Sequence, residues 1–253
     1  MKDLFQIARA NEMAQLGHLE IERIRSGRVL VVGAGGLGSP AILYLAASGV
    51  GVLGIADPER VELSNLQRQI VHSTCDLGRW KVESAREKAL MISPLTKVEI
   101  YPFRLREENA GGIIGNYHLV IDGTDNFATK FLLNDLCHSS GVPLVHGGVL
   151  RFLGQVMTII PGKSACYRCV FMGPPPEGAI PTCEEAGVMG AMVGQMGIIQ
   201  ATEALKYLTG LGELLTDRIL VCDALTMRWR EVQVRRNPEC PLCGGADGVY
   251  KGS

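Results

Sequence analysis

Four of the eight cysteines fall into two Cys-x-x-Cys pairs, Cys166/Cys169 and Cys240/Cys243. Four thiolates are enough to close a tetrahedral zinc (Zn²⁺) site with no open position, and closed sites of this kind serve stability rather than catalysis. Pro241 inside the second pair and Gly244-Gly245 after it supply the tight turn such a knuckle needs. Two unrelated pairs, or a redox disulfide, are the alternatives.

A second group of residues suits a nucleotide. Gly33-Ala34-Gly35-Gly36-Leu37-Gly38 contains G-x-G-x-x-G between an apolar β-branched run and a helix-opening Ser39-Pro40. Gly33 would make the tight turn, Gly35 would let phosphate approach the backbone, and Gly38 would let helix and strand pack closely. Asp57 ends the next strand, where a carboxylate can accept hydrogen bonds from ribose hydroxyls. The alternative is a merely tight structural turn. Two nucleotide chemistries own this arrangement: hydride transfer with NAD, and a ligase working on a mononucleotide.

Ser64-Asn65-Leu66-Gln67-Arg68-Gln69 carries five polar side chains in six positions, and Arg79 and Lys81 follow. Backbone N–H groups chiefly hold the pyrophosphate of NAD, so several cations here have little use in a dehydrogenase. Attack on the α-phosphate of ATP does need them, because negative charge shifts over the phosphates as pyrophosphate leaves. An ordinary solvated loop is the other reading. Asp122-Gly123-Thr124-Asp125-Asn126 then stands at the C-terminal end of a strand, the edge at which open α/β sheets bind ligands. Its two carboxylates, Asp122 and Asp125, are placed to hold Mg²⁺ near a triphosphate. Helix capping by Asp125 or Asn126 competes with that reading.

These groups need a scaffold that brings distant loops to one edge. Strands are predicted at Val29–Val32, Val52–Ala56, Val98–Tyr101, Leu119–Ile121 and Leu144–His146, with helices after Ser39-Pro40 and over Lys81–Ile92 and Ala128–Ser140. Such alternation specifies parallel βαβ units, hence a Rossmann-like, doubly wound α/β sheet. Residues 3–25 read as an amphipathic helical lead-in. After Gly154 come strand-like Gln155–Ile160, a helix over Val188–Thr209 and strands at Ile219–Cys222 and Trp229–Val234, which continue the sheet with antiparallel pairing. Between them, residues 171–187 hold Pro174-Pro175-Pro176 and several glycines, and are expected to form an irregular crossover loop.

At 253 residues with 47% hydrophobic composition, the chain can fill one large core. A formal net charge of -1 offers no electrostatic basis for a nucleic-acid or membrane partner. The N-terminus is interrupted by charges and does not read as a signal peptide. The apolar stretch from Pro40 to Ala56 is broken by Ser48, Gly49, Gly51 and Gly54 and falls short of the roughly 20 residues that span a bilayer. A cytoplasmic protein is expected.

Taken together, Arg28–Gly38, Asp57, Ser64–Gln69, Lys81, Asp122–Asn126 and both cysteine pairs resemble the bacterial E1-like adenylyltransferases of the ThiF/MoeB/HesA group, from about Arg9 to Cys243 and with the motifs in order. The resemblance implies an enzyme that uses ATP to activate the C-terminal Gly-Gly carboxylate of a ubiquitin-fold sulfur-carrier protein for thiamine or molybdopterin synthesis. It implies that Gly36 borders the phosphates and Asp57 the ribose, that Asn65, Arg68 and Lys81 hold the phosphates, and that Asp125 binds Mg²⁺. It further implies a homodimer in which Arg9 reaches into the partner's site, although the family's Arg-Tyr-x-Arg-Gln string is here Gln6-Ile7-Ala8-Arg9-Ala10. On this view the whole chain is one adenylation domain: residues 1–27 lead in, 28–150 bind nucleotide, and 151–253 bind the carrier. An NAD-dependent oxidoreductase and a silent carrier-binding scaffold are the competing readings. The first leaves Arg68, Lys81 and the zinc unexplained, and the second has no need of Asp57, Arg68, Lys81 and Asp125 at once.

Cys183 stands apart. It follows the proline-rich loop just before a predicted helix start, a position that lowers a thiol's pKa, although Glu184 and Glu185 oppose the effect. In the thiamine branch of the similar enzymes a cysteine here can join covalently to the activated carrier, whereas in the molybdopterin branch it is dispensable for adenylation; a cysteine desulfurase or another sulfur donor would be a further partner. Cys75, Cys137 and Cys222 read as small buried residues. His72, His118, His138 and His146 show no spacing that marks a site.

Overall fold

The apolar runs predicted as strands do pair in parallel. The computed structural model describes residues 17–176 and 187–244. In chain order the elements are α1 (His18–Ser26), β1 (Arg28–Val32), α2 (Gly38–Ser48), β2 (Val52–Ala56), α3 (Lys81–Ile92), β3 (Lys97–Tyr101), α4 (Glu107–Ile114), β4 (Leu119–Asp122), α5 (Phe127–Ser140), β5 (Leu144–Leu150), β6 (Leu153–Ile159), α6 (Tyr167–Val170), α7 (Gly190–Thr209), β7 (Arg218–Asp223) and β8 (Arg228–Gln233). One eight-stranded sheet has the order β3-β2-β1-β4-β5-β6-β7-β8. The first five strands are parallel, and β6 to β8 extend them antiparallel. The mostly parallel α/β sheet with an antiparallel continuation is therefore as the sequence indicated.

Alternation along β1 explains the layering. Val29 and Val31 pack on one face with Ala41, Ile42 and Leu45 of α2, Val82 and Ala85 of α3, and Met192 and Met196 of α7. Leu30 and Val32 pack on the other with Ala110 and Ile114 of α4, Phe131 and Leu133 of α5, and Tyr167 of α6. A strand buried on both faces has no polar alternation, and β1 has none. Side-chain burial thus fixes the register, and the register fixes the site. Val32 pairs with Ala56 on one side and with Asp122 on the other, so Gly33, Asp57 and Gly123 leave the sheet side by side. The strand order reverses between β1 and β4, which makes this edge a topological switch point.

Two α-helices among the described residues are additional to those read from sequence. α4 contains Gly111-Gly112, which weakens a helical pattern, and it persists because Ala110 and Ile114 are buried and Asn109 Oδ1 accepts the Arg106 N–H at 2.8 Å. α6 is a single turn opened by the first cysteine pair. β5 also runs on through Gly147-Gly148 to Leu150 and turns directly into β6, with Arg151 at φ 55°. That glycine pair obscures the strand in the sequence. Of the lead-in, the described part from His18 is helical, and the first residues of the proline-rich loop, 171–176, contain no regular element. Among the described residues no helix is long and apolar enough to cross a membrane.

Candidate active site

Gly33 ends β1 at φ 94°, in the left-handed region that glycine tolerates. A Cβ there would stand 2.6 Å from the Gly123 carbonyl oxygen. A Cβ on Gly38 would lie inside the Gly33 carbonyl, so α2 packs against β1 as closely as it does only because this residue is glycine. Gly35 differs: among the described residues a Cβ would meet nothing nearer than Gln69 Nε2 at 3.7 Å, leaving the backbone open to approach. Gly36 is bounded by protein, since its Cβ would meet Val193 Cγ1 of α7 at 2.6 Å.

Asp57 is buried beside this turn. Its Oδ2 accepts the Ala34 N–H and its Oδ1 the Glu59 N–H, each at 2.8 Å. Burial pushes its carboxyl above the ordinary range, opposed first by the Lys81 charge. Lys81 begins α3 and is 2% exposed, and its Nζ donates to Glu59 Oε2 at 2.6 Å. The segment between Asp57 and Lys81 returns to its starting point through the Lys81 N–H to Glu59 O bond and the Arg60 guanidinium 4.0 Å over the Trp80 ring. Buried Asp76 closes it from within, accepting from Ser73, Arg79 and Lys88. Although burial works against the charged form, Ser73 and Lys88 hold its carboxyl down at about 2.

Inside that segment, Arg68 is half-buried, with Cγ 3.5 Å from where a Gly36 Cβ would stand, and its Nη1 donates to Ser64 O. Asn65 is buried; its Oδ1 accepts the Glu62 N–H at 3.2 Å and its Nδ2 donates to Ser64 Oγ at 3.4 Å. Ser64 and Gln67 are exposed and Leu66 is half-buried. The N-terminus of α7 rests on this run: a Cβ at Gly190 would stand 2.3 Å from Gln67 O.

The β4 edge corrects one expectation. Asp122 is not open to a metal. It is 0% exposed, and its oxygens accept from the Thr124 N–H and hydroxyl, Lys130 Nζ and His146 Nδ1. Against the cost of burial, Lys130 and His146 keep its carboxyl well below the usual carboxylate range. Asp125 is the accessible one: it is exposed and has no hydrogen bond or ion pair among the described residues. Asn126 is the N-cap of α5, its Oδ1 accepting the Thr129 N–H at 2.9 Å. Of the two carboxylates read as metal ligands, only Asp125 fits the part.

His72 carries no sequence signal, yet it braces the glycine turn. Its Nε2 lies 3.0 Å from Ala34 O and its Nδ1 2.9 Å from Ser84 Oγ. A carbonyl only accepts, so Nε2 carries the proton and Nδ1 accepts from Ser84. Burial pushes the His72 pKa down to about 4. The unfolded chain, at an ordinary value, takes up a proton first as pH falls. The neutral-state contribution is therefore complete above about pH 6.5 and is lost toward pH 4. We expect the protein to lose roughly 1–2 kcal/mol through this group between neutral pH and pH 5. His72→Gln should flatten that dependence in denaturant titrations, whereas an unchanged slope would remove His72 as its source.

The four paired cysteines converge beside α5, to which α6 is tied by the Tyr167 N–H donating to Asn134 Oδ1 at 2.8 Å. All four sulfurs lie within 4.8 Å of one another, with Cys166 to Cys169 at 3.8 Å, Cys166 to Cys240 at 3.6 Å and Cys169 to Cys243 at 3.3 Å. Tetrahedral zinc with bonds of about 2.3 Å puts its sulfurs about 3.8 Å apart, so the cluster fits that ion. Burial pushes the Cys166 thiol far up, and the neighbouring sulfurs add to this, so four thiolates need a cation among them. The Asn237 N–H donates to Cys169 Sγ at 3.4 Å. Of the lone cysteines, Cys137 and Cys222 are buried as expected, but Cys75 is exposed because Asp76 takes the inward position of its turn. Arg9 and Cys183 lie outside the described residues.

Comparison with known proteins adds an independent line. Residues 8–242 match the ThiF family. The chain is 46% identical over 237 residues to the sulfur carrier protein adenylyltransferase of Thermus thermophilus, covering 92% of this chain and 88% of that one. It is 47% identical over 229 residues to the SAMP-activating enzyme E1 of Haloferax volcanii, covering 90% and 84%. A crystal structure of E. coli MccB with ATP superposes at a TM-score of 0.79 and 19% identity, covering 89% of this chain and 69% of that one, a likeness of fold alone.

Proposed function

Since this chain belongs to the ThiF family, we propose that it is an ATP-dependent adenylyltransferase that activates the C-terminal Gly-Gly carboxylate of a ubiquitin-fold sulfur-carrier protein. Adenylyl transfer is the activity that the names of its bacterial and plant relatives share. The observation that carries the reading is a convergence. A glycine turn, a buried Asp57, the Lys81 ammonium, the Arg68 guanidinium and the exposed Asp125 carboxylate all stand at the switch-point edge of β1, β2 and β4.

In this reading the ribose hydroxyls donate to Asp57, whose oxygens each accept one backbone N–H and retain a further lone pair. The triphosphate lies over Gly35, with Arg68 and Lys81 as its cations and Ser64, Asn65, Leu66 and Gln67 forming the wall that presents them. The carrier's carboxylate attacks the α-phosphorus. An acyl–phosphate bond forms, the bond to the β-phosphate oxygen breaks, and pyrophosphate leaves. The nucleophile is already an anion, so no side chain has to remove a proton. Catalysis is then positioning and neutralisation of charge. Magnesium, when bound by Asp125 and the phosphates, supplies further neutralisation of charge. Arg9 completes the partner's site in a homodimer. The four-cysteine centre holds zinc and ties the C-terminal segment to α6.

The carrier serves thiamine or molybdopterin synthesis, being ThiS-like or MoaD-like, with a cysteine desulfurase as sulfur donor. Incubation with ATP and each purified carrier, followed by intact mass measurement, tests the reading. A carrier heavier by one AMP supports it. No adduct on either carrier, with NAD reduction in its place, would turn the assignment to an oxidoreductase.

Cys183 acts in the second half-reaction only, because attack by a carboxylate requires no thiol. Cys183→Ala should keep adenylation at the wild-type rate and slow thiocarboxylate formation by about tenfold or more, as loss of a covalent nucleophile does. Mass analysis with desulfurase, cysteine and ATP reads both steps. Thiocarboxylate formed at the wild-type rate would show that sulfur reaches the adenylate directly.

A further inference from the structure

The β4 edge holds a buried charge that phosphate chemistry does not explain. Lys130 Nζ has three hydrogens and three acceptors: Asp122 Oδ2 at 3.0 Å, Thr124 O at 2.7 Å and Gly147 O at 2.7 Å. Asp122 is equally saturated, with Thr124 N–H at 3.0 Å and Thr124 Oγ1 at 2.6 Å on one oxygen, and Lys130 and His146 Nδ1 on the other. Gln200 of α7 adds a bond from its Nε2 to Asp122 O at 2.7 Å. The two buried charges therefore grip both sides of one residue, Asp122 taking the N–H of Thr124 and Lys130 its carbonyl. The carbonyl belongs to the peptide that enters Asp125.

Replacing a buried ion pair with apolar side chains is often neutral or stabilising, so stability alone gives little reason for this one. What the pair does supply is geometry. Asp125 has no side-chain partner among the described residues, so its carboxylate is aimed only by its backbone. Lys130 pins that backbone on one side, and on the other Asn126 caps α5 through Thr129. Lys130 also spans to β5 through Gly147, so the loop cannot shift relative to the neighbouring strand without breaking a charged bond.

We propose that Lys130, paired with Asp122, is a positioning residue for adenylation, holding the Thr124–Asp125 peptide so that the Asp125 carboxylate meets the magnesium ion of the bound ATP. The inference rests on the reading of Asp125 given above. The test is pyrophosphate exchange with full-length enzyme and carrier across a magnesium series, well below the unfolding temperature. Lys130→Met should lower saturating exchange about 10- to 100-fold, the scale of a misplacement near 1 Å, and raise the magnesium concentration for half-maximal rate. ATP binding measured in EDTA should not change. Thr124→Val, which removes one bond to Asp122 and keeps the ion pair, should move both readouts in the same direction by less. A folded Lys130→Met with wild-type rate and magnesium dependence overturns the proposal. If Lys130→Met does not fold, Thr124→Val decides, and wild-type behaviour in it overturns the proposal equally. Wild-type-like exchange in Asp125→Ala would instead sink the Asp125 reading on which this one stands.

Discussion

Asp125→Ala is expected to cut carrier-dependent pyrophosphate exchange by about 10²–10³ while leaving thermal unfolding where it is. Both halves of the expectation come from the same contrast. Asp125 is exposed and without a side-chain partner among the described residues, so its loss removes no bond that holds the fold. Its neighbour Asp122 is saturated by Thr124, Lys130 and His146, so Asp122→Ala should unfold the protein before it reports on catalysis. Removing one partner of a buried pair costs roughly 3–5 kcal/mol because the other charge is left uncompensated. Measuring exchange and melting for both variants separates the roles. Near wild-type exchange in Asp125→Ala would take that carboxylate out of the mechanism.

The second large effect concerns the four cysteines. One zinc per chain is expected by metal analysis, and stripping it, or Cys240→Ser, should lower the melting temperature by roughly 10 °C or more. Binding at a structural four-thiolate site is worth roughly 10–16 kcal/mol, much of it coupled to folding, and a few kcal/mol already moves a protein of this size that far. The ligands come from α6 and from a segment close to the end of the described chain, so the metal would join pieces that the core covers only partly. Cys169 is half-buried while the other three are buried. A metal-free protein with an unchanged melting temperature would contradict the assignment.

Legibility in the sequence followed the range of the interactions. Gly33, Gly38 and Asp57 were readable because one βαβ unit contains them all, and spacing alone places Asp57 against the turn. The cysteine pairs were readable as a metal set, although only the fold brings Cys166 within 3.6 Å of Cys240. Asp122 misled because a strand-terminal carboxylate looks the same whether it faces water or Lys130. Its direction is set by Lys130, eight residues on in the first turn of α5, and by His146 on the next strand. His72 gave no sign because its partners, Ala34 O and Ser84, lie on separate elements. α4 was hidden by its own glycines, and its helicity comes from burying Ala110 and Ile114.

The most direct test of the account is isotope exchange between pyrophosphate and ATP with the purified chain, magnesium and a ubiquitin-fold carrier ending in Gly-Gly. Label should enter ATP only when the carrier is present, and a carrier shortened by its two glycines should give none. Exchange that ignores the carrier, or no exchange with either a thiamine or a molybdopterin carrier, would contradict it.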